Sequence, residues 1–209
     1  MVVRKIRHIF SKATVVRSRD LPARGRRALP QLCEDGRLER VGRGLYLRKD
    51  AELTEHHGLV EASVCVPQGV VCLLSALVYH ELTTQAPPEI WMALPSKARH
   101  PRREHLSLRI VRFSPECLSY GVIRPMIEGV RVPLTTPAKT VADCFKFRSK
   151  VGIDVAVEAL RKFLERSFWD SGVRWDAPGS TWDSLDALRE AARVCRVERV
   201  MAPYLEALA

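Results

Sequence analysis

The chain of 209 residues lacks any apolar run long enough to cross a bilayer. Its longest such stretch lies around 70–79, whereas a spanning helix needs about 20 consecutive apolar residues. The N-terminus begins Met1-Val2-Val3-Arg4-Lys5 and develops no apolar segment of the kind found in secretory signals. We therefore expect a cytoplasmic protein with no membrane partner.

Cysteine is present, but the spacings that make it a ligand are not. None of the six cysteines forms a C-x-x-C pair, the spacing typical of zinc sites and redox motifs. Cys65 and Cys72 have no neighbouring His or Cys that would complete a set of four ligands. Most of the cysteines stand in apolar stretches, as buried free thiols do. We predict no metal site and no disulfide.

Motifs for catalysis and for nucleotide binding are also missing. The chain contains no Walker-type glycine loop, no G-x-G-x-x-G, no H-E-x-x-H, and no Ser or Cys in a recognisable nucleophile elbow. We predict that it is not an enzyme, with no catalytic residues and no cofactor. Asp143 stands in an apolar helical stretch, where it serves either catalysis or pairing with a basic neighbour. Pairing is favoured, because a lone buried acid is costly.

What the chain does have is basic charge concentrated at its start. The first fifty residues hold 14 Lys and Arg against 5 Asp and Glu, whereas residues 51–209 hold 20 against 19. Such a cationic segment is typical of a part that binds a polyanion, because each phosphate contact releases a condensed counterion. We therefore predict a DNA-binding domain at 1–50 and a nearly neutral domain at 51–209.

Three short helices followed by a hairpin are predicted in the basic domain. Apolar residues recur at helical spacing in 4–12, a second helix is expected at 18–25, and a third ends at Asp35-Gly36. Alternating apolar and polar residues on both sides of Gly42-Arg43-Gly44 predict a β-hairpin. This order is that of a winged helix-turn-helix, whose third helix enters the major groove of double-stranded DNA.

The candidate DNA contacts are basic or amide side chains that the predicted core does not use. Arg pairs bidentately with guanine and Gln with adenine, whereas long cations at turns and wing tips hold phosphates. The predicted contacts are Arg26, Arg27 and Gln31 to base edges, and Arg19, Arg24 and Arg43 to phosphates. Pro30 conflicts with this helix, since an interior proline removes a backbone donor. The helix therefore either starts late enough to hold Pro30 in its first turn or kinks there.

The body is predicted to be mixed α/β with a helical end, which makes the whole chain α+β. The expected helices lie at 52–62, 70–82, 137–147, 152–166 and within 185–208, and the expected strands at 90–94, 106–113, 122–127 and 130–134. Thr136 before Pro137 is the pattern of an N-cap with proline at the first helical position.

Two other functions stay open at this point. A DNA-directed nuclease needs converging carboxylates and a nearby Lys, and Glu89 with Lys97 is the nearest approximation. A plain winged-helix transcription regulator would use the body as an interaction or sensing domain. The leading hypothesis is a DNA-binding autorepressor.

The chain resembles the AbiEi family of antitoxins from type IV toxin-antitoxin and phage-abortive systems. The resemblance covers nearly the whole chain, and the order of its segments makes it specific. They are 19–21 (RDL), 36–46 (GRLERVGRGLY), 67–77 (PQGVVCLLSAL), 135–144 (TTPAKTVADC) and 151–160 (VGIDVAVEAL).

The resemblance implies an N-terminal winged helix that binds inverted repeats in its own promoter and represses the operon. It also implies a C-terminal domain with antitoxin activity against a nucleotidyltransferase-like toxin, without need of a stable complex. The chain has no glycine-serine followed by paired acids, the pattern of such a transferase, so it is not expected to be the toxin itself.

Overall fold

The computed structural model describes residues 13–101, 106–169 and 184–208. The chain is a mixed α+β protein, as predicted. The strands are β1 Val15–Arg17, β2 Leu38–Gly42, β3 Leu45–Arg48, β4 Val70–Val71, β5 Ile90–Pro95, β6 Leu108–Phe113, β7 Val122–Ile123, β8 Met126–Ile127, β9 Val130–Arg131 and β10 Leu134–Thr135. The helices are α1 Ala23–Glu34, α2 His57–Cys65, α3 Leu73–Tyr79, α4 Pro115–Ser119, α5 Pro137–Lys146, α6 Arg148–Val151, α7 Ile153–Trp169, α8 Leu185–Cys195 and α9 Glu198–Leu208.

The chain divides into two compact units. The first unit takes its described residues from 13–68, 101, 106–107 and 124–132, and the second takes the others. The first unit therefore extends past the predicted boundary at Asp50 and includes a hairpin that is distant in sequence. None of the described helices is long and apolar enough to cross a membrane.

The first unit is built on a three-stranded antiparallel sheet in the order β1-β3-β2. Val16 lies opposite Tyr46 in one pair of strands, and Leu38 lies opposite Arg48 in the other. Val16, Leu21, Leu29 and Leu38 form a small buried core between the sheet and α1. The predicted hairpin of β2 and β3 is present, with a bulge between Arg40 and Gly42.

The second unit contains a five-stranded mixed sheet in the order β6-β5-β4-β10-β7. β5 runs parallel to β6, and β4 runs parallel to β10. Its large core takes apolar residues from the sheet and from helices α3, α5, α7, α8 and α9. Helix α5 begins as predicted, because the Thr136 hydroxyl accepts from the Lys139 amide at 3.4 Å and proline follows at the first position.

Several predicted elements are wrong or fall outside the described residues. The predicted helix at 4–12 lies outside them. The predicted helix at 18–25 is absent, because 18–20 is a single 3-10 turn and Gly25 is buried inside α1. The predicted helix at 70–82 begins only at Leu73, because Val70 and Val71 are sheet residues paired with Ala93 and Met92.

Candidate nucleic-acid interface

Helix α1 has one apolar face and one basic face. Gly25 and Leu29 are buried in the core, and the helix ends in a Schellman motif at Gly36, whose φ is 69°. Arg24, Arg27 and Gln31 follow one another at spacings of three and four residues, so they share one strip of the helix surface. All three are exposed.

Arg26 is exposed as well but belongs to a different flank of α1. Adjacent helical residues point about 100° apart, so Arg26 does not share the strip of Arg27. Pro30 lies inside the helix, so the prediction that the helix starts late enough to hold Pro30 in its first turn is wrong. The helix continues through Pro30 to Glu34, and the missing N–H frees the Arg26 carbonyl from a helical partner.

The five predicted arginine contacts share one property. Each is exposed, and none has an ion-pair or hydrogen-bond partner for its side chain among the described residues. They are Arg19, Arg24, Arg26, Arg27 and Arg43. A cation in this state keeps its whole hydrogen-bonding capacity for a ligand.

Other polar side chains of the first unit are already engaged. Arg17 binds Asp20 through two hydrogen bonds of 2.7 and 3.2 Å, and Arg48 lies 2.8 Å from Asp50. The predicted base contact Gln31 donates from Nε2 to Asp35 Oδ1 at 3.0 Å. This hydrogen bond is exposed to solvent, so exchanging it for a base edge costs little.

The hairpin tip is held against the turn that precedes α1. The Ser18 amide donates to the Gly44 carbonyl at 2.8 Å. Gly44 has a φ of 71°, and a Cβ added there would lie 2.9 Å from Ser18 Oγ. The positive φ therefore favours glycine, and a larger residue would also require the Ser18 hydroxyl to move. Arg43 is exposed beside this contact.

A buried carboxylate, which the sequence did not predict as a functional or structural site, joins three segments of the first unit by hydrogen bonds. The Glu128 side chain is 1% exposed and stands in the two-residue turn between β8 and β9, with a φ of 49°. Thr14 Oγ1 and His57 Nδ1 each lie 2.8 Å from Oε2, and the Thr54 amide donates to Oε1 at 2.8 Å. The hairpin of β8 and β9 is thereby joined to the residue before β1 and to the start of α2.

The hydrogen bonds also favour the ionised form of Glu128. Burial raises the pKa of this carboxyl, but hydrogen bonds from His57, Thr54 and Thr14 lower it more, so its pKa lies below the ordinary value. The sequence signal was local: the expected strands at 122–127 and 130–134 leave Glu128-Gly129 between them as a turn, and nothing in it indicated partners more than seventy residues away.

In the second unit, Asp143 pairs with a basic neighbour, as favoured from sequence. Lys139 Nζ donates to the Asp143 carboxylate from one turn earlier on α5, and the Lys139 side chain is 0% exposed. Cys195 Sγ also donates to Asp143 at 3.3 Å, and Lys139 Nζ lies 4.8 Å from the centre of the Phe113 ring. Burial lowers the pKa of Lys139, but the charge of Asp143 and the hydrogen bond to it, with smaller contributions from neighbouring groups, together raise this pKa more, so it lies above the ordinary value and the amine stays protonated.

Two titratable residues of the second unit outside the Lys139–Asp143 pair also have partners within the protein. His80 Nε2 lies 2.7 Å from the Thr135 carbonyl, and burial lowers the pKa of His80 to about 4, so the ring is neutral at pH 7. Glu89 lies 3.7 Å from Arg109. Among the described residues, no three His, Cys, Asp or Glu side chains come together as a group that could hold a metal ion.

Comparison with known proteins gives a fold relative and no family. No protein-family model matches the chain, and no curated protein matches it. Its structure is similar to the crystal structure of the Rv2827c protein from Mycobacterium tuberculosis, with a TM-score of 0.53 and 16% sequence identity. The alignment covers 96% of this chain and 80% of that chain. At this identity the likeness shows a shared α+β fold alone.

Proposed function

We propose that the chain is a DNA-binding antitoxin and transcriptional autorepressor of a type IV toxin-antitoxin operon. The N-terminal residues act as a winged helix-turn-helix on inverted repeats in the promoter, and the protein works in the cytoplasm. Its functional partner is a nucleotidyltransferase-like toxin that it opposes without a stable complex. This proposal combines the basic surface of the first unit with the resemblance to the AbiEi family.

The observation that carries DNA binding is the set of exposed, unpartnered arginines on α1 and at the hairpin tip. Arg24 and Arg27 lie on the same strip of α1, three residues apart, and Arg43 stands on a connection between two paired strands. Phosphate contacts fix the position of a protein on DNA, whereas helix side chains read base edges. The described residues supply both kinds of group.

The first experiment measures binding of the purified protein to its own upstream DNA and to a scrambled duplex of equal length, with and without Mg²⁺. The proposal predicts selective binding and intact DNA in both conditions. Cleavage that requires Mg²⁺ and an acidic residue would favour the nuclease hypothesis instead.

Two substitutions separate base readout from phosphate contact. Arg27→Ala is expected to weaken binding to the specific site at least about fivefold more than binding to random DNA, because a bidentate base contact discriminates by about 1–3 kcal/mol. Arg43→Ala is expected to weaken both to a similar extent. Arg189→Ala, which removes an exposed helical arginine from the second unit, is the matched control and leaves both affinities unchanged. Equal losses on the two DNAs for Arg27→Ala would contradict base readout.

The antitoxin part of the proposal needs a cellular test. A nucleotidyltransferase-like toxin encoded beside the gene is expected to arrest growth when it is expressed alone. Co-expression of this protein with the toxin is expected to restore growth. Growth should also be restored by the variant Arg27→Ala/Arg43→Ala, because antitoxicity is assigned to the other part of the chain. A plain transcription regulator would bind DNA and fail to restore growth in either form.

A further inference from the structure

Arg19 and Arg43 belong to separate segments that a backbone hydrogen bond brings together. The Ser18 amide donates to the Gly44 carbonyl at 2.8 Å, and each arginine is the immediate chain neighbour of one bonded residue. Arg19 belongs to the 3-10 turn before α1, and Arg43 to the connection between β2 and β3. The side chains of Arg19 and Arg43 are therefore attached to neighbouring points of the backbone.

The local acid does not neutralise this pair. Asp20 is the only acidic residue in the 3-10 turn, and the connection Gly42-Arg43-Gly44 has none. Asp20 holds Arg17 through two hydrogen bonds, of 2.7 and 3.2 Å. Arg19 and Arg43 are both exposed, and neither has a partner for its side chain among the residues that the structure describes.

The approach of the two segments is fixed by the backbone. Gly44 has a φ of 71°, and a Cβ at this position would lie 2.9 Å from Ser18 Oγ, so glycine favours this close approach of the tip to the turn. A site whose parts are held in place before the ligand arrives loses less entropy on binding.

We propose that Arg19 and Arg43 form a clamp that binds a single phosphate group of the DNA backbone. Guanidinium groups suit this ligand, because each offers paired N–H donors that match phosphate oxygens. The inference rests on the proposed DNA-binding function and deepens it: two of the predicted phosphate contacts become one shared contact. Arg24, on the helix strip, contacts a different phosphate.

The test is a double-mutant cycle on DNA affinity across a salt series, with the variants Arg19→Ala, Arg43→Ala and the double variant. One shared phosphate predicts that the double variant makes the slope of log affinity against log salt shallower by about 0.9. It also predicts a double-variant loss at least fivefold smaller than the product of the single losses. The control pair Arg24→Ala/Arg43→Ala should change the slope by about 1.8 and give multiplicative losses.

Three results would overturn the clamp. Multiplicative losses and a slope change of about 1.8 for Arg19→Ala/Arg43→Ala would show two separate phosphates. Absence of DNA binding by the wild-type protein at low salt would remove the proposed function and the clamp with it. Binding of inorganic phosphate that needs both arginines, without DNA binding, would reassign the pair to a free anion. Thermal unfolding of each variant at wild-type temperature shows that the fold is intact.

Discussion

Lys139 of the second unit and Arg27 of the first unit are both helical cations, and their surroundings are opposite. Lys139 is completely buried and donates to Asp143 on the same helix. Arg27 is exposed, and among the described residues no acid pairs with it. The charge of Lys139 is paired with Asp143 inside the fold, whereas that of Arg27 is available to a ligand. A cation's partners, more than its residue type, therefore distinguish a structural charge from a binding charge.

The largest expected effect comes from breaking the buried pair. Asp143→Ala is expected to lower the free energy of unfolding by about 3–5 kcal/mol, because it leaves the Lys139 charge buried without a counterion. Urea denaturation measures this loss. The double variant Lys139→Met/Asp143→Leu should recover most of it, since apolar residues of similar size often replace a buried ion pair without cost. A loss below about 1 kcal/mol for Asp143→Ala would show that the pair is not needed.

Glu128, in the first unit, is a buried carboxylate that is held partly by neutral donors from Thr14 and Thr54. Glu128→Ala is expected to cost about 1–3 kcal/mol, since the buried Thr14 hydroxyl and the half-buried His57 ring lose their hydrogen-bond partner. Glu128→Gln, which keeps one acceptor oxygen, should cost less. Equal losses for the two variants would contradict a role for the hydrogen bonds.

Glu128 also makes a prediction about acid. Because its folded-state pKa lies below the ordinary value of 4.5, its contribution is complete above pH 4.5 and is lost as the pH falls through the folded pKa. The stability of the wild-type protein should therefore fall more steeply below pH 4.5 than that of Glu128→Gln. Parallel pH profiles of the two proteins would contradict the assignment.

The smallest expected effects concern two glycines near the basic surface. Gly36 and Gly44 have similar positive φ values, 69° and 71°, but a Cβ at Gly36 meets nothing within 4 Å. Gly36→Ala should cost about 1 kcal/mol through backbone strain alone. Gly44→Ala adds a clash with Ser18, so it should cost more and, unlike Gly36→Ala, weaken DNA binding. Identical effects of the two variants would show that the contact with Ser18 does not matter.

Features with a strong local signal were predictable from the sequence. The β2–β3 hairpin follows from alternation around Gly42-Arg43-Gly44, and the start of α5 follows from Thr136-Pro137. The exposure of the predicted contact residues on α1 follows from helical periodicity around Leu29. In each case the residues that determine the structure lie within a few positions of one another.

Features decided by distant residues were not predictable. Val15 and Val16 form a strand too short for alternation to show, and it exists because β3 pairs with it. Gly25 was read as a helix end, but it lies inside α1 where a Cβ would be 3.3 Å from Leu21 Cβ, so close packing explains the glycine. The partners of Glu128 could not be inferred, since they come from segments far away in sequence.

The most direct measurement compares the salt dependence of DNA binding for the wild-type protein with that of two double variants. The wild-type protein is expected to give a negative slope of log affinity against log salt, with about −0.9 for each phosphate contact. Arg24→Ala/Arg43→Ala, in the first unit, should make the slope shallower by about 1.8, and Arg189→Ala/Arg193→Ala, in the second, should leave it unchanged. Equal slopes for both variants, or no binding at low salt, would contradict the assignment of DNA binding to the unpartnered arginines of the first unit.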